Sequence, residues 1–157
     1  MRMHENTYFQ KMYEVCCEQQ KIQNAHEAEK EEIKEKYGWD SQQMKDWYAK
    51  DEEIKKAFPY SAGQMKAYWT YDRNETEELE FSDFCWEENI PDFIEALRSA
   101  GIKSFVFTNQ STAVMENIHG FIKAGCTMEG ACTLEKKSRF FGAEGTEQVL
   151  GLRFKIN

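Results

Sequence analysis

The segment Thr108-Asn109-Gln110-Ser111-Thr112 gathers three hydroxyls and two carboxamides in five consecutive residues. It follows the β-branched and aromatic run Ile102–Thr108 and precedes an apolar stretch with helical spacing. A strand-to-helix junction of this kind offers free backbone N–H groups and the positive end of a helix dipole, which suit a phosphate or carboxylate. Ser111 and Thr112 would add hydroxyl donors and Asn109 an amide. The same residue types also cap helices with no ligand present, so Ser111 or Asn109 is expected to cap the next helix. The glycine-rich turn that lets a phosphate approach closely is absent. His119 lies eight residues after Ser111, at the margin of the helix's apolar face. It completes the ligand-binding candidate set, either as a base or as a boundary histidine with one satisfied hydrogen bond.

The five cysteines, Cys16, Cys17, Cys85, Cys126 and Cys132, are an odd number at irregular spacings, which reads as reduced thiols in a cytoplasm. Cys16 and Cys17 are helical neighbours whose side chains diverge by about 100°. Cys132 falls on the apolar side of an expected strand, and Cys126 follows a helix C-terminus, which raises a thiol pKa. No CxxC occurs, and His4, His26 and His119 are scattered, so no metal site and no cofactor are expected. Seven acidic residues against one basic fall within residues 78–98. The acidic stretch that holds Glu77, Glu78, Glu80, Asp83, Glu87 and Glu88 could imitate nucleic-acid phosphates or simply keep an aromatic surface soluble.

The chain has 157 residues and a formal charge of −8, which argues against a broad basic surface for nucleic acid or anionic lipid. Aromatics make up 14% of it, enough to expect a buried core despite a mean hydropathy of −0.77. No apolar run reaches the ~18 residues of a membrane span. Met1 to Gln10 lack a basic stretch before an apolar one, so no secretory signal is expected.

Residues 1–77 read as a helical arm. Glu5 to Tyr37 contains no Gly or Pro and is rich in helix formers. Its thin stripe is Ile22, Ala25, Ala28, Ile33 and Tyr37, and Gly38 stops it. Asp40 or Ser41 caps a second helix to about residue 57, before Pro59. Ser61 caps a third, about 61–72. The long helix and the returning shorter ones form an antiparallel hairpin.

Residues 78–157 alternate strand and helix. Leu79–Asp83 is a short half-buried strand. Asn89 caps a helix whose face is Ile90, Phe93, Ile94 and Leu97. Ile102–Thr108 is a central strand parallel to the first. A second helix buries Val114, Met115, Ile118, Phe121 and Ile122. Two closing strands follow. In the first, Met128, Gly130, Cys132 and Leu134 point one way. In the second, Leu150, Leu152, Phe154 and Ile156 point inward. The segment Lys136–Thr146 joins them as a loop or extended hairpin end. The class is α+β: a β-α-β-α-β-β unit with a four-stranded mixed sheet, both helices on one face, and the last strand antiparallel to the third.

Four segments carry a family likeness: LRSAGI (Leu97–Ile102), FTNQST (Phe107–Thr112), GCTMEG (Gly125–Gly130) and the closing GLRFKI. With the charged helical N-terminus, the chain resembles a family of uncharacterised proteins from gut Firmicutes. The resemblance implies a helical arm before a small α/β unit, in bacterial genes that look mobile. It implies no activity and no catalytic residues. A superficial likeness of the strand-Thr-Asn segment to the second motif of haloacid-dehalogenase-like phosphatases lacks the aspartate pair, DxD, that such chemistry needs.

These readings favour a non-enzymatic binding or assembly module in the cytoplasm. Its arm would meet a protein partner or its own copy, without direct nucleic-acid or membrane contact. The alternatives are a small-molecule or phosphate-binding enzyme with its site at 108–112, and an acidic inhibitor of a nucleic-acid-binding protein.

Overall fold

The computed structural model describes residues 5–137 and 145–157. Of the expected Lys136–Thr146 connection, the ends prove to be strand, and residues 138–144, Gly142 included, lie outside the described residues. The chain forms two compact units, one of Gln10–Tyr60 and one of Ser61–Asn157 together with the start of the chain through Phe9.

The first unit is a pair of helices, most of α1 (Thr7–Tyr37) and all of α2 (Gln42–Lys56). Gly38 ends α1 at φ +83°, a backbone shape that disfavours side chains. Ser41 caps α2: its Oγ accepts from the Met44 N–H at 3.2 Å and donates to the Gly38 carbonyl at 2.8 Å. The helices run antiparallel, since Gln19 reaches the Ile54 carbonyl while His26 faces Trp47. The His26 and Trp47 rings stack at 4.2 Å with 1° between planes. The Trp47 indole N–H donates to the His26 carbonyl at 2.7 Å, and His26 Nε2 lies 3.2 Å from the Trp47 carbonyl. This seam corrects the sequence reading of α1. Ile22 is 49% exposed and Ala25 and Ala28 face solvent, while His26 is buried. A flat imidazole against an indole buries more area than alanines can, so the helix turns that face inward.

In the second unit, α3 (Ala62–Asp72) starts with a capping box between Ser61 and Gln64. Read on sequence with the arm, α3 instead clusters with the sheet because it packs on α4 (Ile90–Ser99). Gly63 makes the close approach possible, since a Cβ there would collide with the Asn89 carbonyl oxygen and Asp92 Cβ. Phe9 stacks on Tyr71 at 4.6 Å, and the Asn6 amide donates to the Ala100 carbonyl at 2.8 Å. Asn89 precedes α4 without a side-chain cap, because the chain enters through a 3-10 turn, Glu87–Asn89.

The class is α+β. Strands β1 (Glu80–Phe81), β2 (Ser104–Phe107), β3 (Cys126–Lys137) and β4 (Thr146–Ile156) form a mixed sheet in the order β1-β2-β4-β3. The pair β1/β2 is parallel, and β4 runs antiparallel to both β2 and β3. The last strand thus enters between β2 and β3. Helices α4 and α5 (Val114–Lys123) lie on one face, since Phe93 and Phe121 both pack on Phe105. Around Phe121 stand Phe105 at 5.1 Å, Phe107 at 5.2 Å and Phe154 at 5.3 Å.

Two expected faces differ. A bulge between Met128 and Gly130 pairs Met128 with Phe154 but Gly130 with Arg153, so the two fall on opposite faces. Leu134 is then buried with Gly130's side of the sheet, and Leu150 is 66% exposed. In α5 the buried row is Asn117, Gly120 and Phe121, while Met115 and Ile122 are exposed. Asn117 acts as a short strand: its Oδ1 accepts from the Cys85 N–H at 2.8 Å and its Nδ2 donates to the Cys85 carbonyl at 2.9 Å.

Phe105→Ala should lower stability by about 3–5 kcal/mol through the cavity it leaves. Asn117→Ala should lower it by about 2–4 kcal/mol, because two backbone groups of Cys85 lose their partners. Urea melts check both.

Candidate functional site

The 108–112 segment folds around one side chain. Asn109 Oδ1 accepts from the backbone N–H groups of Ser111 at 2.9 Å and Thr112 at 3.2 Å. Its Nδ2 donates to the Thr112 carbonyl at 2.8 Å and the Asp83 carbonyl at 3.3 Å. The Thr108 N–H donates to the Phe81 carbonyl at 3.0 Å, extending the β1/β2 ladder. Three amides that could have met an anion are therefore engaged by the protein itself. Helix α5 begins later, at Val114, with Ala113 at its N-cap in the left-handed region (φ +50°) and no side-chain cap. Ser111 therefore closes the loop and does not cap the helix. Thr108 is buried, while Gln110, Ser111 and Thr112 are exposed. His119 is exposed on α5, and among the described residues it makes no hydrogen bond or ion pair to this segment.

The thiols are guarded by burial. Cys85 and Cys126 are each pushed up to about 11 by loss of water. They are thus protonated at neutral pH and poor nucleophiles. All five cysteines are free. Among the described residues no group of three or more His, Cys, Asp or Glu side chains could hold a metal ion.

A concavity lies elsewhere, beside α3. Lys66, Trp69, Thr70 and Arg73 follow at three- and four-residue steps, so one helical face presents all four. This face, β1 with its flanking turns, and Lys136 from β3 enclose about 500 Å³, the size of a small-molecule site. Lys66 Nζ pairs with Asp83 at 2.7 Å and Lys136 Nζ with Glu80 Oε1 at 2.7 Å. The Arg73 guanidinium sits over the Trp69 ring at 4.9 Å. Asn74 ties the entry to β1: its Oδ1 accepts from the Glu80 N–H at 3.0 Å, and its Nδ2 donates to the Thr76 and Glu78 carbonyls. Burial pushes the Asp83 carboxyl up, but hydrogen bonds from Lys66 and the Phe84 N–H outweigh it and hold the group below the ordinary range. The sequence reading missed this cleft. Its signal was the 66-69-70-73 spacing, overlooked because α3 was assigned to the arm.

Three carboxylates of the acidic segment, Glu78, Glu80 and Asp83, are neutralised in place. Besides the Asp83 and Glu80 pairs, Arg153 grips Glu78 with two hydrogen bonds of 2.9 and 2.6 Å. That hydrogen bonding holds the Glu78 carboxyl below its usual range.

A family model described as a domain of unknown function (DUF7698) matches residues 64–156, and the chain belongs to that family. No curated protein and no solved structure matches the chain. No helix among the described residues is long and apolar enough to cross a membrane.

Two outcomes follow. Asn109→Ala should cost about 1–2 kcal/mol, since several loop hydrogen bonds go with it. Ser111→Ala should stay within about 0.5 kcal/mol, and denaturant melts separate the two. The Glu78 carboxyl is depressed in the folded state, so its contribution is present above the ordinary value of 4.5 and disappears as pH falls through the folded value. The pair is more than a third exposed, so the effect is at most about 1 kcal/mol. Wild type should melt above Glu78→Gln at pH 7, and the gap should close at strongly acidic pH.

Proposed function

With membership of a family of unknown function as the premise, we propose that the chain is a non-enzymatic binding or assembly module that acts through its helical arm. The observation that carries this reading is the apolar surface left on the two-helix unit. Ile22, Tyr37, Trp39 and Tyr48 remain about half exposed. Lys30 lies over the Trp47 and Tyr48 rings at 4.7 and 5.5 Å, and Lys34 over Trp39 at 5.2 Å. Aromatic rings held rigid beside cations are the side chains that anchor protein interfaces. Two helices alone bury little, so such a surface gains from a neighbour. The occupant is a protein partner or a second copy of the chain.

The same reading takes the chain as a bacterial cytoplasmic protein from an apparently mobile gene. Five free thiols suit a reducing compartment. The two other classes draw less support. The amides of 108–112 are turned onto Asn109 and Phe81. Of the six carboxylates that would imitate phosphates, Glu78, Glu80 and Asp83 are paired with Arg153, Lys136 and Lys66.

Sedimentation equilibrium over a wide concentration range, with affinity capture from the native host, tests the proposal. Self-association or a retained partner should be lost in the Ile22→Lys, Tyr48→Lys double variant while helicity is kept. A strict monomer that captures nothing would contradict it, as would capture unaffected by the substitutions.

A further inference from the structure

The cleft beside α3 contains one polar atom without a match. Glu80 is 8% exposed at its side chain. Its Oε1 holds Lys136, but its Oε2 is buried and has no hydrogen-bond partner among the described residues. A buried carboxylate oxygen left unpaired is costly. This one is not displaced by chance. The Asn74 amide fixes the Glu80 backbone, and Lys136 fixes the other carboxylate oxygen. Glu80 is one of the residues that line a cavity of about 500 Å³. Among the described residues nothing supplies the missing donor, and the cleft is where one from outside the protein would enter.

The rest of the lining narrows the donor's chemistry. Among the described lining residues, the three basic groups Lys66, Arg73 and Lys136 are equalled by the three acidic ones Glu75, Glu80 and Asp83. A bare cation would meet three basic groups, and a bare anion would meet Glu80. A molecule that carries both charges meets neither objection. Arg73 supplies the complementary pole. It is exposed and stacked on Trp69, and it makes no ion pair among the described residues. Its planar fork is suited to a carboxylate.

We propose that this cleft is a binding site for a small zwitterion of the amino-acid class, with its ammonium on Glu80 and its carboxylate on Arg73. The Trp69 ring and the aliphatic parts of Ala62, Met65 and Thr70 take up the carbon skeleton between the poles. Glu80 selects the amine by hydrogen bond and charge, and Lys136 keeps that carboxylate aimed. The site is built from α3, the β1 region and Lys136 of β3, none of them in the two-helix unit, so it stands or falls independently of the arm.

The test is a calorimetric titration of the full chain with the ω-amino acids from glycine to 6-aminohexanoate and with the common α-amino acids. At least one should bind saturably, and the best chain length reports the separation of the two poles. Its N-acetyl and its amide forms should each bind about ten-fold more weakly or not at all. Glu80→Gln and Arg73→Ala should each weaken the best ligand by a similar factor, and the exposed control Glu77→Gln should not. Should Glu80→Gln fail to fold by circular dichroism, Ala62→Phe fills the cleft from an exposed position and should abolish binding. No binding by any member of the panel would overturn the proposal. Equal binding of the N-acetyl form, or binding unchanged in Arg73→Ala and Ala62→Phe, would overturn it as well.

Discussion

The Phe121 ring touches Phe81, Phe93, Phe105, Phe107 and Phe154, and so joins β1, β2, β4 and both covering helices through one side chain. Removing that ring would leave a void in contact with nearly every element of the sheet. The contacts also fix a direction. Phe81 must face Phe121, so the pleat turns its neighbour Glu80 to the opposite side. On that side Glu80, Val106, Arg153 and Gly130 form one cross-strand row. A dense aromatic face thus places the Glu80 carboxylate on the opposite face of the sheet.

The second face is not simply open to water. β3 and β1 are opposite edges of the sheet, yet Lys136 reaches Glu80, so the far part of the β3/β4 pair folds back over this side. Gly151 permits the bend, because a Cβ there would press within 3.0 Å of the Phe107 carbonyl and closer still to Val106. Val106 is consequently buried on what would otherwise be a wet face. The fold covers Glu80 from above while α3 stands beside it. Burial of the carboxylate and concavity of the cleft therefore share one cause.

Local signals in the sequence were read correctly where the cause is local. Gly38 stops α1, Ser61 opens α3, and the alternation around Phe81 and the run Ser104–Phe107 are strands. The entry of β4 between β2 and β3 was not legible, because pairing between distant segments leaves no mark on periodicity. The bulge at Glu129 inverted the expected faces of β3, since one inserted residue exchanges the two sides. The sequence reading weighed His26 only as a metal ligand and did not single out Asn117. Each side chain is buried against a backbone group that no apolar side chain could satisfy, His26 Nε2 at the Trp47 carbonyl and Asn117 at the Cys85 N–H and carbonyl. At the 108–112 segment the residue types were right for a cap, but Ala113 takes the cap position and Asn109 gathers the loop instead. Glu80 looked like the solvent side of a half-buried strand, and only the folded-back hairpin makes it interior.

The balance of function on this fold turns on a single oxygen. The hairpin arm offers surface, and the cleft offers a defined chemical demand. A crystal structure of the full chain grown with the tightest-binding amino acid would settle whether that demand is met. The account predicts an ammonium nitrogen within about 3 Å of Glu80 Oε2, with the carboxylate on Arg73. A cleft holding only water, or Glu80 Oε2 hydrogen-bonded to a side chain of the protein, would contradict it.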